Sequence, residues 1–134
     1  GGRAQDIRVG SHWLRADEPL ALGGQDSGPT PYGLLAAALG ACTSMTVRMY
    51  ADRQGWPSRG CGCACLTPRC SRRRARRTRR GRAAWTGWSG SSGWRALTEE
   101  QRARLLRIAE RCPVHRTLES KVDVRTRRDD SSTE

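Results

Sequence analysis

Residues 28–51 (GPTPYGLLAAALGACTSMTVRMYA) constrain the fold most, because a helix built from them is apolar on almost every side. Such a helix needs other elements packed around it. The pattern predicts a helix over about residues 30–53. Thr30 is the expected N-cap, and Pro31 falls at the first helical position, where its missing N–H costs nothing. Leu35, Leu39, Cys42, Met45, Thr46 and Met49 recur every three or four residues and share a face, the expected core contact. Gly33 and Gly40 each weaken a helix by about 1 kcal/mol relative to Ala, so close packing is expected there. Gly55-Trp56-Pro57 ends the helix. Cys42 lies in its middle on the apolar face. A free cysteine in such a place is most often a small hydrophobe, and a reactive thiol is the second reading.

The elements around this helix are shorter. Residues 6–22 read as extended, with Ile7 and Val9 alternating with polar neighbours and a turn expected at Asp17-Glu18-Pro19. Leu20 and Leu22 then continue the alternation, giving two strands of a hairpin or meander. Residues 23–29 form a loop. Its Gly23-Gly24 lacks the spacing and the lysine of a phosphate-binding loop. A second helix is expected over residues 97–112, opened by a capping box at Thr98-Glu99-Glu100-Gln101. Leu105, Ile108, Ala109 and Cys112 share its inner face, bordered by Leu106. Cys112 has two readings. At the C-terminus of that helix the dipole disfavours a thiolate. If Pro113 starts a new turn, the sulfur lies at a helix N-terminus with His115 and Arg116 close by, which favours one. Residues 120–127 alternate and are expected to form a closing strand, followed by a polar disordered tail over 128–134.

The chain of 134 residues fits one domain with a modest core. No run of 18 apolar residues occurs, so no membrane span is expected. The first residues, Gly1-Gly2-Arg3-Ala4-Gln5-Asp6, hold no apolar core of a signal peptide, so none is expected. The formal net charge of +12 points first to nucleic acid or an anionic surface. Its location argues otherwise. Residues 58–96 hold eleven arginines and no carboxylate, so the remainder carries only +1. Four of the six cysteines (Cys61, Cys63, Cys65, Cys70) lie in the same segment, unlike the even spread of a secreted disulfide scaffold. The expected compartment is cytoplasmic.

Several of these motifs occur together in one family. Ala16-Asp17-Glu18-Pro19, Gly28-Pro29-Thr30-Pro31-Tyr32, Ala37-Ala38-Leu39-Gly40-Ala41-Cys42-Thr43 and Cys112-Pro113-Val114-His115 resemble the OsmC/Ohr family. The resemblance is strongest to the OsmC-like domain sometimes fused to an α/β-hydrolase, and it covers residues 7–57 and 97–126. It implies an α+β fold, an antiparallel sheet around two central helices, in an intertwined homodimer. It also implies a thiol peroxidase that reduces organic hydroperoxides, with Cys42 matching the peroxidatic position and Cys112 the resolving one. A thiolate attacks the O–O bond to give a sulfenic acid, which the second thiol condenses to a disulfide. An external dithiol reduces that disulfide. The apolar helix face around Cys42 suits a lipid-like or aromatic peroxide. No cofactor and no metal are implied. The family usually carries a carboxylate, which holds an active-site arginine, where this chain has Gly33. Arg3, Arg8 and Arg15 are the candidates for that arginine. The alternative is a non-catalytic OsmC-like domain.

Residues 58–96 fall where strands between the helices are expected, yet they contain no Val, Ile, Asp, Glu or Lys, and no strand pattern can be drawn through them. Four readings are open. Cys61, Cys63, Cys65 and Cys70 bind a soft metal, although their spacing is not that of a zinc finger or ribbon. The arginine run over 72–82, with Trp85, Trp88 and Trp94, forms a basic nucleic-acid-binding module through phosphate contacts and stacking. The segment is a disordered basic insertion. Or it is out-of-frame translation. Tryptophan has a single codon, so Ala84-Trp85-Thr86-Gly87-Trp88 fixes much of its own coding sequence. Read one base earlier, and continued to Arg95 with GC-rich codons, it gives LDRLERVIRLE, aliphatic residues alternating with charge. This frameshift reading is the leading one, and nucleic acid is then not an expected partner. Middle strands lost in this way leave the long helix poorly covered and the domain destabilised.

Overall fold

The computed structural model describes residues 2–57, 62–66, 85–89 and 95–126. The fold is mixed α+β, as expected from the sequence, with antiparallel strand pairs and, among the described residues, three α-helices where two were expected. Strands β1 (Gln5–Val9) and β2 (His12–Ala16) form an antiparallel hairpin in which Asp6 faces Arg15 and Ile7 faces Leu14. The turn is at Gly10-Ser11, not at Asp17-Glu18-Pro19. Gly10 has φ 59°, a conformation in which a side chain would be strained. Leu20–Leu22 is a 3-10 turn rather than a strand, begun by Pro19, whose fixed φ of −62° suits the entry.

Helix α1 (Pro31–Arg53) has the expected bounds. Thr30 caps it, accepting the Gly33 N–H on its hydroxyl at 3.0 Å. Its C-terminus closes in a Schellman motif: the Trp56 N–H reaches the Ala51 carbonyl at 2.9 Å and the Gly55 N–H the Asp52 carbonyl at 3.1 Å. Gly55 takes the left-handed conformation this requires, φ 67°. The Trp56 ring then packs edge-on against Tyr50, centroids 5.8 Å apart. The helix is long and apolar enough, by length and composition, to cross a membrane. A helix packed on one face by its own domain meets the same measure.

The packed face differs from the expected one. Ala36, Leu39, Gly40, Thr43, Val47 and Ala51 are buried, while Leu35, Met45 and Met49 are more than half exposed. Among residues all apolar, the small ones let neighbouring helices come closest, and that face takes the contact. Helix α2 (Glu99–Ala109) begins with the expected capping box between Thr98 and Gln101. It lies against α1 through a core of Val47, Ala51, Leu97, Leu105 and Ala109, with Tyr50, Trp56 and Ile108 at its edge. Helix α3 (Pro113–Glu119) follows directly and also packs on α1.

Within the basic segment, β3 (Gly62–Leu66) pairs antiparallel with β4 (Trp85–Ser89), although their sequence shows no strand alternation. A ladder needs only backbone groups, so this pairing is invisible to side-chain periodicity. The expected closing strand is not formed: residues 121–126 pair with no strand among the described residues, and Val122 and Val124 are exposed. The arginine run, Cys61, Cys70, Trp94 and the expected tail over 128–134 lie outside the described residues.

Candidate functional site: a buried thiol pair

Two helix positions bring the predicted cysteines together. Cys42 sits at the middle of α1, half-buried at the margin of the packed face. Cys112 sits between α2 and α3 and is fully buried. Of its two readings, the second holds: Pro113 starts a new helix and Cys112 is its N-cap. Extended backbone at Cys112 turns the sulfur back over the first turn, where it accepts the His115 N–H at 3.3 Å.

The sulfur has a further donor. The Thr43 hydroxyl, buried on α1, donates to it at 3.4 Å. Cys42 and the Val114 N–H add to the polar surroundings of the sulfur. Burial pushes the Cys112 pKa up. The hydrogen bonds from the Thr43 hydroxyl and the His115 N–H, with Cys42 and Val114 beside the sulfur, outweigh it and hold the thiol below its usual range. The site therefore stabilises a negative charge on Cys112 relative to an ordinary thiol. Two free thiols in this relation can exchange a proton and can join as a disulfide.

The surroundings of the pair are ordered by short-range contacts. The Thr46 hydroxyl returns to the Cys42 carbonyl at 2.8 Å. His115 pairs through Nε2 with Glu119 at 3.2 Å, one turn further along α3. Thr43 is the residue that sequence reasoning missed. Its one signal is a polar side chain directly beside Cys42, on a face made otherwise of small apolar residues.

The arginine candidates have other engagements. Arg15 forms a two-pronged ion pair with Asp6 across the hairpin, at 2.9 and 3.1 Å. Arg3 lies beside Gly23, where a Cβ would meet its Nε at 3.3 Å. Arg8 faces Trp13 across the β1–β2 ladder. Gly33, in the first turn of α1, offers no side chain to hold any of them. Among the described residues no three His, Cys, Asp or Glu side chains gather as metal ligands. Cys63 and Cys65 fall in β3.

A second ordered feature flanks the start of α1. Asp17, buried, accepts the N–H groups of Glu18, Gln25 and Ser27 at 2.8, 3.0 and 3.1 Å, and the Ser27 hydroxyl at 2.8 Å. Burial raises its pKa, but these four donors override it and lower it to about 2. The loop closes so tightly on the carboxylate that a Cβ on Gly24 would collide with the Glu18 carbonyl. This staple sets the chain's approach to Thr30.

Comparison with known proteins agrees with this architecture. The chain has the same fold as a crystal structure from Psychrobacter arcticus 273-4, named for osmotic stress induction and a detoxification response. The TM-score is 0.57 at 12% identity, over 87% of this chain and 88% of the other. No curated protein matches the sequence. The sequence pattern of the OsmC-like proteins matches residues 24–127, a span that includes both Cys42 and Cys112, and the chain belongs to the OsmC-like family.

Proposed function

We propose that this chain is a thiol-dependent organic hydroperoxide reductase of the two-cysteine kind, serving a detoxification response. The observation that carries the reading is the hydrogen bond from Thr43, the residue next to Cys42 on α1, to the Cys112 sulfur at the start of α3, at 3.4 Å. Cys42 is the more exposed of the two, so the peroxide meets its sulfur first. Cys42 sulfur attacks the distal peroxide oxygen. An S–O bond forms, the O–O bond breaks, and the alcohol leaves with the proton that Cys42 gives up. The Cys112 thiolate then attacks the Cys42 sulfenic sulfur. A disulfide forms, and the displaced hydroxide becomes water with a proton from solvent. An external dithiol exchanges with the disulfide and restores both thiols. The exposed stripe of Leu35, Met45 and Met49 supports a homodimer in which a second copy covers this face of α1.

The test is consumption of cumene hydroperoxide with a dithiol donor. The reading expects turnover that is lost in Cys42→Ser. Turnover that survives the substitution removes Cys42 from its role. A second reading, a non-catalytic OsmC-like domain, is favoured by the bare Gly33 and by the commitment of Arg15 to Asp6. Absence of turnover in the unsubstituted chain selects it.

The basic segment is best read as out-of-frame translation. Eleven arginines without one carboxylate over 58–96, and an aliphatic and charged pattern in the neighbouring frame, support this. The nucleotide sequence around codons 55–98 tests it: compensating one-base indels are expected, and an uninterrupted frame in independent isolates overturns the reading.

A further inference from the structure

Thr43 presents a problem that packing alone does not answer. Its side chain is 1% exposed, on the face of α1 that meets the other helices. A valine would fill the same shape without burying a hydroxyl, and a buried hydroxyl costs stability unless it is bonded. On a helix such a hydroxyl usually bonds the carbonyl one turn back, as Thr46 does with Cys42 at 2.8 Å. Thr43 instead donates to the Cys112 sulfur, from a different part of the chain, at 3.4 Å.

We propose that Thr43 is a positioning residue for the Cys112 sulfur: its hydroxyl holds that sulfur against α1, beside Cys42. The inference rests on the two-cysteine reading of the site and adds to it the group that holds the second sulfur. Thr43 follows Cys42 directly on α1, so the helix that carries one sulfur also carries the donor that orients the other. The His115 N–H fixes the sulfur from its own helix. Thr43 is the side chain that ties it to α1, by a neutral donor. The titratable side chain reaching Cys112 from α1 is Cys42. On its own helix His115 is paired with Glu119, and Arg111 precedes it in the chain.

The experiment is a pH titration of the Cys112 Cβ carbon resonance by NMR in three variants of the full chain. Thr43→Ser keeps the hydroxyl and loses the methyl. Thr43→Val keeps the shape and loses the hydroxyl. Thr43→Ala loses both, and it replaces Val in the comparison if Val is not accommodated. The midpoint is expected to stay in place in Thr43→Ser and to rise by roughly one pH unit in Thr43→Val or Thr43→Ala. A midpoint that stays in place without the hydroxyl, or that moves equally in Thr43→Ser, overturns the proposal. Failure of the unsubstituted chain to consume peroxide would overturn the two-cysteine reading instead, and the titration reads Thr43 independently of it.

Discussion

The Thr43 hydroxyl donates a hydrogen bond to the sulfur of Cys112 at 3.4 Å, across the contact between α1 and α3. The two residues lie on elements that meet because the buried face of α1 is made mostly of small side chains, with Leu39 the exception. Cys42 precedes Thr43 on α1, so the same contact brings both cysteines to one site, one within a helix and the other at a helix N-cap.

The two cysteines are expected to fail differently when replaced. In Cys112→Ser, Cys42 still attacks the peroxide but finds no second thiol, so a sulfenic acid accumulates that dimedone traps on the Cys42 peptide. In Cys42→Ser, no adduct forms on Cys112, which is buried from the peroxide. Mass spectrometry of the dimedone-treated peptides distinguishes the two outcomes. An adduct on Cys112 alone would reverse the assigned order.

Asp17 gives the domain an acid limit. Its folded pKa, about 2, lies below the ordinary carboxylate value near 4, so the folded state binds this proton less readily than the unfolded chain. The stabilisation is complete above pH 5 and is lost as pH falls from there through 2. Asp17→Ala should lower Tm at pH 7 by several degrees, and the difference from the unsubstituted chain should shrink as pH approaches 2. Thermal unfolding followed by circular dichroism over this range checks both.

Gly55 closes α1 with positive φ, so Gly55→Ala should destabilise by about 1 kcal/mol. Thr98→Ala, which removes half of the capping box of α2, should cost a similar ~1 kcal/mol. Urea titration measures both, and their double variant should be additive, because the two caps share no hydrogen bond.

The choice of packed face on α1 predicts a contrast. Leu105→Ala empties the centre of the α1–α2 core and should cost roughly 2–5 kcal/mol. Met45→Ala, on the open face, should change the stability of the monomer by no more than about 0.5 kcal/mol. If a second copy covers that face, Met45→Ala weakens dimerisation instead, which sedimentation equilibrium reads directly.

The sequence made the helix boundaries legible but left the packed face of α1 undetermined. Thr30, Pro31, Gly55 and the capping box at Thr98 are local signals, each acting through a hydrogen bond or a fixed φ within a few residues. They require nothing of the rest of the fold. The packed face of α1 is a tertiary choice. Leu35, Cys42, Met45 and Met49 share a face as expected, but a helix apolar all round has several such faces. The helices chose the smaller residues at 36, 40, 43, 47 and 51. The hairpin turn went unseen because Pro19 is a stronger turn signal than Gly10-Ser11. Pro19 in fact opens the 3-10 turn next to the Asp17 staple. In the site, both thiols were legible through their motifs. The new helix at Pro113 was one of two open readings, and the N-cap geometry settled it. Thr43 was not legible, since a hydroxyl donating to a sulfur in a distant segment has no periodicity and no spacing.

If Cys42 and Cys112 act as one redox pair, peroxide must join them to each other. Peptide mapping under non-reducing conditions, after the reduced chain is exposed to a stoichiometric amount of cumene hydroperoxide, reads this directly. A Cys42–Cys112 disulfide within one chain is expected, reversed by a dithiol and absent in Cys42→Ser. Both thiols remaining reduced, or Cys42 joined to another cysteine while Cys112 stays free, would contradict the pairing.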